Sequence, residues 1–79
     1  MDDELLTIDG FDDAIIGVSE SGVPRLVYDI EKLAELVMRK ENVSEEDAYE
    51  YITYNISCAY VGENTPIIIR LGKLSKFLN

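Results

Sequence analysis

The sequence predicts an α+β class fold, a small β-β-α-α-β layer arrangement with a three-stranded sheet and two helices on one face. Three observations predict it. Two β-branched apolar runs, Ala14-Ile15-Ile16-Gly17-Val18 and Leu26-Val27-Tyr28, flank a segment rich in Ser, Gly and Pro. Two stretches of helical spacing come next. A run of three isoleucines, Ile67-Ile68-Ile69, comes after them. With 79 residues there is room for one core. The expectation is a single domain over 1–79, with an acidic N-terminal segment at 1–12 and a basic C-terminal tail at 72–79.

Asp13 through Val18 reads as the first strand, ended by Ser19-Glu20-Ser21-Gly22. Pro24 has no N–H to give a ladder, so it belongs before the second strand, Arg25 to Tyr28. The pair makes a hairpin, and Phe11 is expected to pack on the sheet edge. Asp29 suits the N-cap of the first helix. There Ile30, Leu33, Ala34, Val37 and Met38 fall on one stripe, widened by Leu36. Glu31, Lys32, Glu35 and Arg39 lie off it, and Glu35 with Arg39 forms a favourable i,i+4 pair. Asn42 takes the left-handed conformation that ends the helix.

Ser44-Glu45-Glu46-Asp47 matches a capping box with an acidic first turn, opening a second helix from Glu45 to about Cys58. It buries Ala48, Ile52, Ile56 and Ala59, with Tyr51 and Asn55 flanking. The amide of Asn55 is expected to lock the loop around Gly62 to Pro66. Ile67 to Arg70 forms the third strand. Lys73 to Leu78 makes a short amphipathic helix or a loose tail. The shared core is expected to hold Ile16, Val27, Ile30, Leu33, Val37, Ile52, Ile56 and Ile68. Strand order, including parallel pairing through the helical crossover, stays open at this level.

Composition excludes several function classes. There is no histidine, so neither a Ser-His or Cys-His nucleophile pair nor an imidazole zinc site is available. Cys58 is the single cysteine, which rules out an internal disulfide and reads as a small buried apolar residue. The five glycines are isolated and make no phosphate loop. Asp9-Gly10-Phe11-Asp12-Asp13 lacks the ligand spacing of a calcium loop and reads as a solvated acidic turn. A protein that is not an enzyme, with no cofactor and no metal, is the expectation. No stretch is long and apolar enough for a membrane span, and no basic segment precedes an apolar one as in a signal peptide. A cytoplasmic protein is therefore expected.

Net charge is −9, from 16 acids and 7 bases. Such a surface disfavours direct nucleic-acid binding and anionic membranes, and suits a partner protein that is basic or normally binds nucleic acid. The charge is uneven. Residues 1–13 hold six acids (Asp2, Asp3, Glu4, Asp9, Asp12 and Asp13), and residues 41–50 hold five, with no base in either stretch. The last ten residues carry Arg70, Lys73 and Lys76 and no acid.

Aromatic and acidic residues coincide on the second helix. Tyr49 and Tyr51 are about 200° apart on a helical wheel, so both cannot face the centre of the core. Off-core tyrosines offer a partner apolar area at small entropic cost, although the same rings can simply roof a thin core. The protein-binding face is therefore assigned to Glu45, Glu46, Asp47, Tyr49, Glu50 and Tyr54. The bland reading of those acids is that they favour the helix N-terminus through its dipole.

The segments Asp13-Ala14-Ile15-Ile16-Gly17, Val27-Tyr28-Asp29, Glu46-Asp47-Ala48-Tyr49-Glu50-Tyr51, Tyr54-Asn55-Ile56, Ala59-Tyr60-Val61-Gly62 and Thr65-Pro66-Ile67 carry a resemblance. Over roughly residues 9 to 69 the chain resembles a family of short uncharacterised proteins encoded by tailed bacteriophages. The resemblance implies a phage or prophage product in the bacterial host cytoplasm, a setting in which small acidic proteins often occupy a host protein. It carries no activity with it. Three readings are open. The first is a non-enzymatic protein that binds a host or phage protein. The second is a nucleic-acid mimic that inhibits a DNA- or RNA-handling enzyme. The third is a self-associating structural or assembly component, a homo-oligomer.

Overall fold

A computed structural model describes residues 5–57 and 62–72. Its elements are β1 (Ile15–Val18), β2 (Leu26–Asp29), α1 (Ile30–Glu41), α2 (Glu45–Ile52) and β3 (Ile67–Ile69). A 3-10 turn (Asp12–Ala14) precedes β1, and a π-helical turn (Thr53–Ser57) continues α2. The sheet order is β1-β2-β3, with β1 antiparallel and β3 parallel to the central β2. Parallel neighbours need a long crossover, and α1 and α2 supply it. The α+β, β-β-α-α-β fold is thus the one the residue pattern predicts.

The hairpin is closed at its loop. The Ser19 amide donates to the Arg25 carbonyl at 2.9 Å, and the Arg25 amide donates to Ser19 Oγ at 3.1 Å. Arg25 then donates from Nε to the Thr65 carbonyl at 2.6 Å, tying the hairpin to the loop before β3.

The caps are those expected. Asp29 Oδ1 accepts from the Glu31 amide at 3.1 Å, and Ser44 Oγ accepts from the Asp47 amide at 3.2 Å. Between them Asn42 sits at φ 55°, ψ 52°, the left-handed conformation that lets α1 stop and the chain reverse. The Val43 amide donates to the Met38 carbonyl at 3.3 Å, which completes the corner.

The core contains Phe11, Ala14, Leu26, Tyr28, Leu33, Ala34, Leu36, Val37, Ala48 and Ile52. Ile30, Ile56 and Ile68 pack against it half-buried. Two expected members do not belong. Ile16 is 44% exposed: Ile15 pairs with the buried Tyr28, so alternation turns Ile16 to the other face, and the register skips it before the pair Gly17–Val27. A bulge of this kind places one extra residue outside the ladder. Val27 lies between the buried Leu26 and Tyr28, so alternation turns it to the opposite face with its register partner Ile67. Tyr28, fully buried, takes the central place instead.

Other expectations are corrected as well. Asp13 and Ala14, expected to open the first strand, belong instead to the 3-10 turn, since the Ala14 amide donates to the Phe11 carbonyl at 3.0 Å. Phe11 is buried in the core and not on the sheet edge, with the Lys40 ammonium 5.5 Å from its ring centroid. Glu35 pairs with Lys32 at 3.4 Å and not with Arg39. Past Ile52 the second helix widens into the π turn. Thr53 Oγ1 donates to the Tyr49 carbonyl at 3.0 Å, and Asn55 Nδ2 donates to the Tyr51 carbonyl at 3.1 Å. Side chains that bond the i−4 carbonyls compete with the regular ladder. Asn55 therefore donates back into its own helix and not to the Gly62–Pro66 loop, where Thr65 bonds the Gly62 carbonyl instead. Cys58, Ala59, Tyr60, the N-terminal Asp2, Asp3 and Glu4, and the tail from Lys73 lie outside the described residues.

Candidate functional site

The three-residue corner at 42–44 folds α2 back along α1, as short helix connections do. Because α1 directs Leu33, Ala34 and Val37 inward, Glu31 and Glu35 stay on its solvent side. On α2, Ala48 and Ile52 are buried, leaving Glu45, Glu46 and half of Tyr49 outward. These two sides meet. A cleft of about 800 Å³ is lined by Glu31, Ala34, Glu35 and Met38 from α1, Glu45, Glu46 and Tyr49 from α2, and Arg70 just beyond β3.

The cleft has an apolar floor and an acidic rim. Ala34 is buried, while Met38 and Tyr49 are half-buried against the core. All four glutamates are exposed, and a single guanidinium answers them among the lining residues. That guanidinium belongs to Arg70. Its Cζ lies 5.8 Å from the Tyr49 ring centroid, and Nη1 lies 3.6 Å from Glu31 Oε2. At that separation the pair is an ion contact and not a hydrogen bond.

Of the six residues assigned from sequence, Glu45, Glu46 and Tyr49 come together in this cleft. Asp47 and Glu50 are exposed on α2 and do not line it. Tyr54, 77% exposed, is carried out on the π turn. Sequence reasoning missed the other half: Glu31, Glu35, Met38 and Arg70. The signal for Glu31 and Glu35 was present in their i,i+4 spacing off the apolar stripe. Arg70 had none, because only the parallel return of β3 brings it to α1.

The cleft's carboxylates are solvated, whereas a carboxyl acting as general acid needs an apolar setting. Among the described residues no three His, Cys, Asp or Glu side chains converge in a way that could hold a metal ion. Also among these residues, no helix is long and apolar enough to cross a membrane.

A second, more apolar cavity of about 400 Å³ lies between residues 6–8, the π turn and the entry to β3. Two of its polar side chains, Asn55 and Thr65, are committed to the Tyr51 and Gly62 carbonyls. The fold and the interhelical cleft define a class, a small α+β domain with an acidic, aromatic-floored groove on its helical layer. No protein family, curated protein or solved structure matches the chain.

Proposed function

We propose that this chain is a non-enzymatic binding protein whose interhelical cleft receives a basic segment of a partner protein. One observation carries the reading. Glu45, Glu46 and Tyr49 are joined by Glu31, Glu35 and Met38 from the other helix around one concave site. Helix dipoles favour acids near each N-terminus separately, but they give no reason for the two sets to share a cleft with an apolar floor. Complementary charge steers a basic partner inward and rejects anionic ones, while Tyr49 and Met38 offer area that a docked side chain can desolvate. The resemblance to tailed-phage proteins supports a host or phage protein in the bacterial cytoplasm as that partner.

Paired affinity capture from a bacterial lysate tests this. The bait is the wild-type chain beside the double variant Glu46→Lys, Tyr49→Ala, with folding of both checked by circular dichroism. A protein retained by wild type and lost from the folded variant supports the cleft. Equal retention by both places the binding face elsewhere.

A further inference from the structure

Arg70 already sits where a partner's cation would go. Its guanidinium lies over the Tyr49 ring and beside Glu31, and lines a cleft far larger than one side chain. Resting on the reading of this cleft as a basic-segment site, we propose that it selects arginine over lysine, and that Arg70 is a tethered occupant displaced by a partner's arginine.

Three features support displacement. The Arg70 and Glu31 side chains are 46% and 49% exposed and 3.6 Å apart, so their attraction is weakened by water. Arg70 lies beyond the last residue of β3, so moving it breaks no strand pairing among the described residues. Glu45 and Glu46 have no ion-pair partner among the described residues, so an incoming segment finds carboxylates that Arg70 does not reach.

Selection follows from the shape of the cation. A guanidinium is planar, weakly hydrated and able to lie flat on a tyrosine while its edge N–H groups reach carboxylates. An ammonium is compact and strongly hydrated, and gains less from the ring. The seat has a flat aromatic face at Tyr49 with carboxylates beside it, the environment that rewards the planar ion.

The test is calorimetry at low salt with two probes, an acetylated hexa-arginine peptide and the matching hexa-lysine peptide. Wild type is expected to bind the arginine peptide about two- to fivefold more tightly, the range that one exposed cation–π contact supplies. Arg70→Gln should tighten the arginine peptide more than the lysine peptide. Tyr49→Phe keeps the ring face and should keep the preference, whereas Tyr49→Leu should erase it. Equal affinities in wild type, or a preference that survives Tyr49→Leu, would overturn guanidinium selection and leave the basic-segment reading standing. An Arg70→Gln variant with unchanged affinity would overturn the tethered occupant. If neither peptide binds wild type or Arg70→Gln, the proposed function falls as well. Arg70 is exposed, so its variants keep the test open should a Tyr49 variant fail to fold.

Discussion

The phenolic oxygen of Tyr28 accepts a hydrogen bond from the backbone amide of Ile8 at 2.8 Å, across 20 residues of sequence. The ring is fully buried at the centre of the sheet, between the hairpin and the helical layer. One side chain thus fills the core and anchors the segment that leads into Phe11.

The two roles of Tyr28 separate by substitution. Tyr28→Phe keeps the ring and removes the acceptor, which should cost about 1 kcal/mol, or a Tm drop of about 4–8 °C for a domain this small. Hydrogen exchange should quicken at the Ile8 amide. Tyr28→Ala also empties the core and should cost about 3–5 kcal/mol by analogy with Phe→Ala. Urea unfolding checks both values, and a Tyr28→Phe variant as stable as wild type would show that the bond contributes nothing.

The corrected phase of β1 makes a second, contrasting prediction. Leu33 is fully buried, so Leu33→Ala should cost about 2–5 kcal/mol and can unfold the domain. Ile16 faces away from the core, next to Ile15 on a strand whose inward partner is Tyr28, and Ile16→Ala should stay within about 0.5 kcal/mol. Circular dichroism melts decide the matter. An Ile16 variant as damaged as the Leu33 variant would restore Ile16 to the core.

How legible each feature was in the sequence depends on how local its signal is. The stripe of α1, its Asp29 cap and the Asn42 stop are fixed within a few residues of one another, and each is observed. In the run Leu26-Val27-Tyr28 every residue is apolar, so alternation could be read in either phase, and only tertiary packing chose Tyr28. The bulge at Ile16 has no compositional mark. Strand order depends on long-range pairing, and both parallel and antiparallel returns fit an isoleucine run. For the same reason half the cleft was visible, the half on α2, while Arg70 reaches the site only through the β2–β3 pairing.

The corner between the helices sets the cleft's opening, and its two polar residues can be tested separately. Ser44→Ala removes the acceptor of the Asp47 amide and should cost about 1 kcal/mol. Asn42→Ala forces a Cβ-bearing residue with no local hydrogen-bonding group into the left-handed region, at about 1 kcal/mol. Asn42→Gly should be as stable as wild type or more so. Urea midpoints order the three variants, and an Asn42→Gly variant less stable than Asn42→Ala would contradict the capping account.

The two sheet edges differ. β1 carries the bulge, which twists an edge away from pairing, whereas β3 is three isoleucines with β2 as its neighbour. A homodimer through β3 is the expected state, read by light scattering as twice the 8.9 kDa chain mass at tens of micromolar protein. Ile67→Lys places a charge on the β3 edge strand, opposite Val27 and away from the core, and should return the mass to that of one chain. A single-chain mass for wild type excludes edge pairing at that concentration.

Ionic strength separates docking of a basic segment from mimicry of a nucleic acid. Both use the carboxylates of Glu31, Glu35, Glu45 and Glu46, so a charge reversal alone weakens either. They differ in what remains when charge is screened. A cationic groove that normally grips a phosphate chain spends most of its affinity on charge, and loses about a thousandfold or more as salt rises from tens to a few hundred millimolar. A segment seated on Ala34, Met38 and Tyr49 keeps its apolar contacts. For it, screening removes only exposed pairs, about 1 kcal/mol in sum and so near tenfold in Kd. Calorimetry of the captured partner across that salt range is expected to show the shallow dependence. Tyr49→Ala should then weaken binding by a similar factor at low and high salt, because the lost contact is not ionic. A steep dependence, with Tyr49→Ala harmless at low salt, would instead identify the protein as a nucleic-acid mimic.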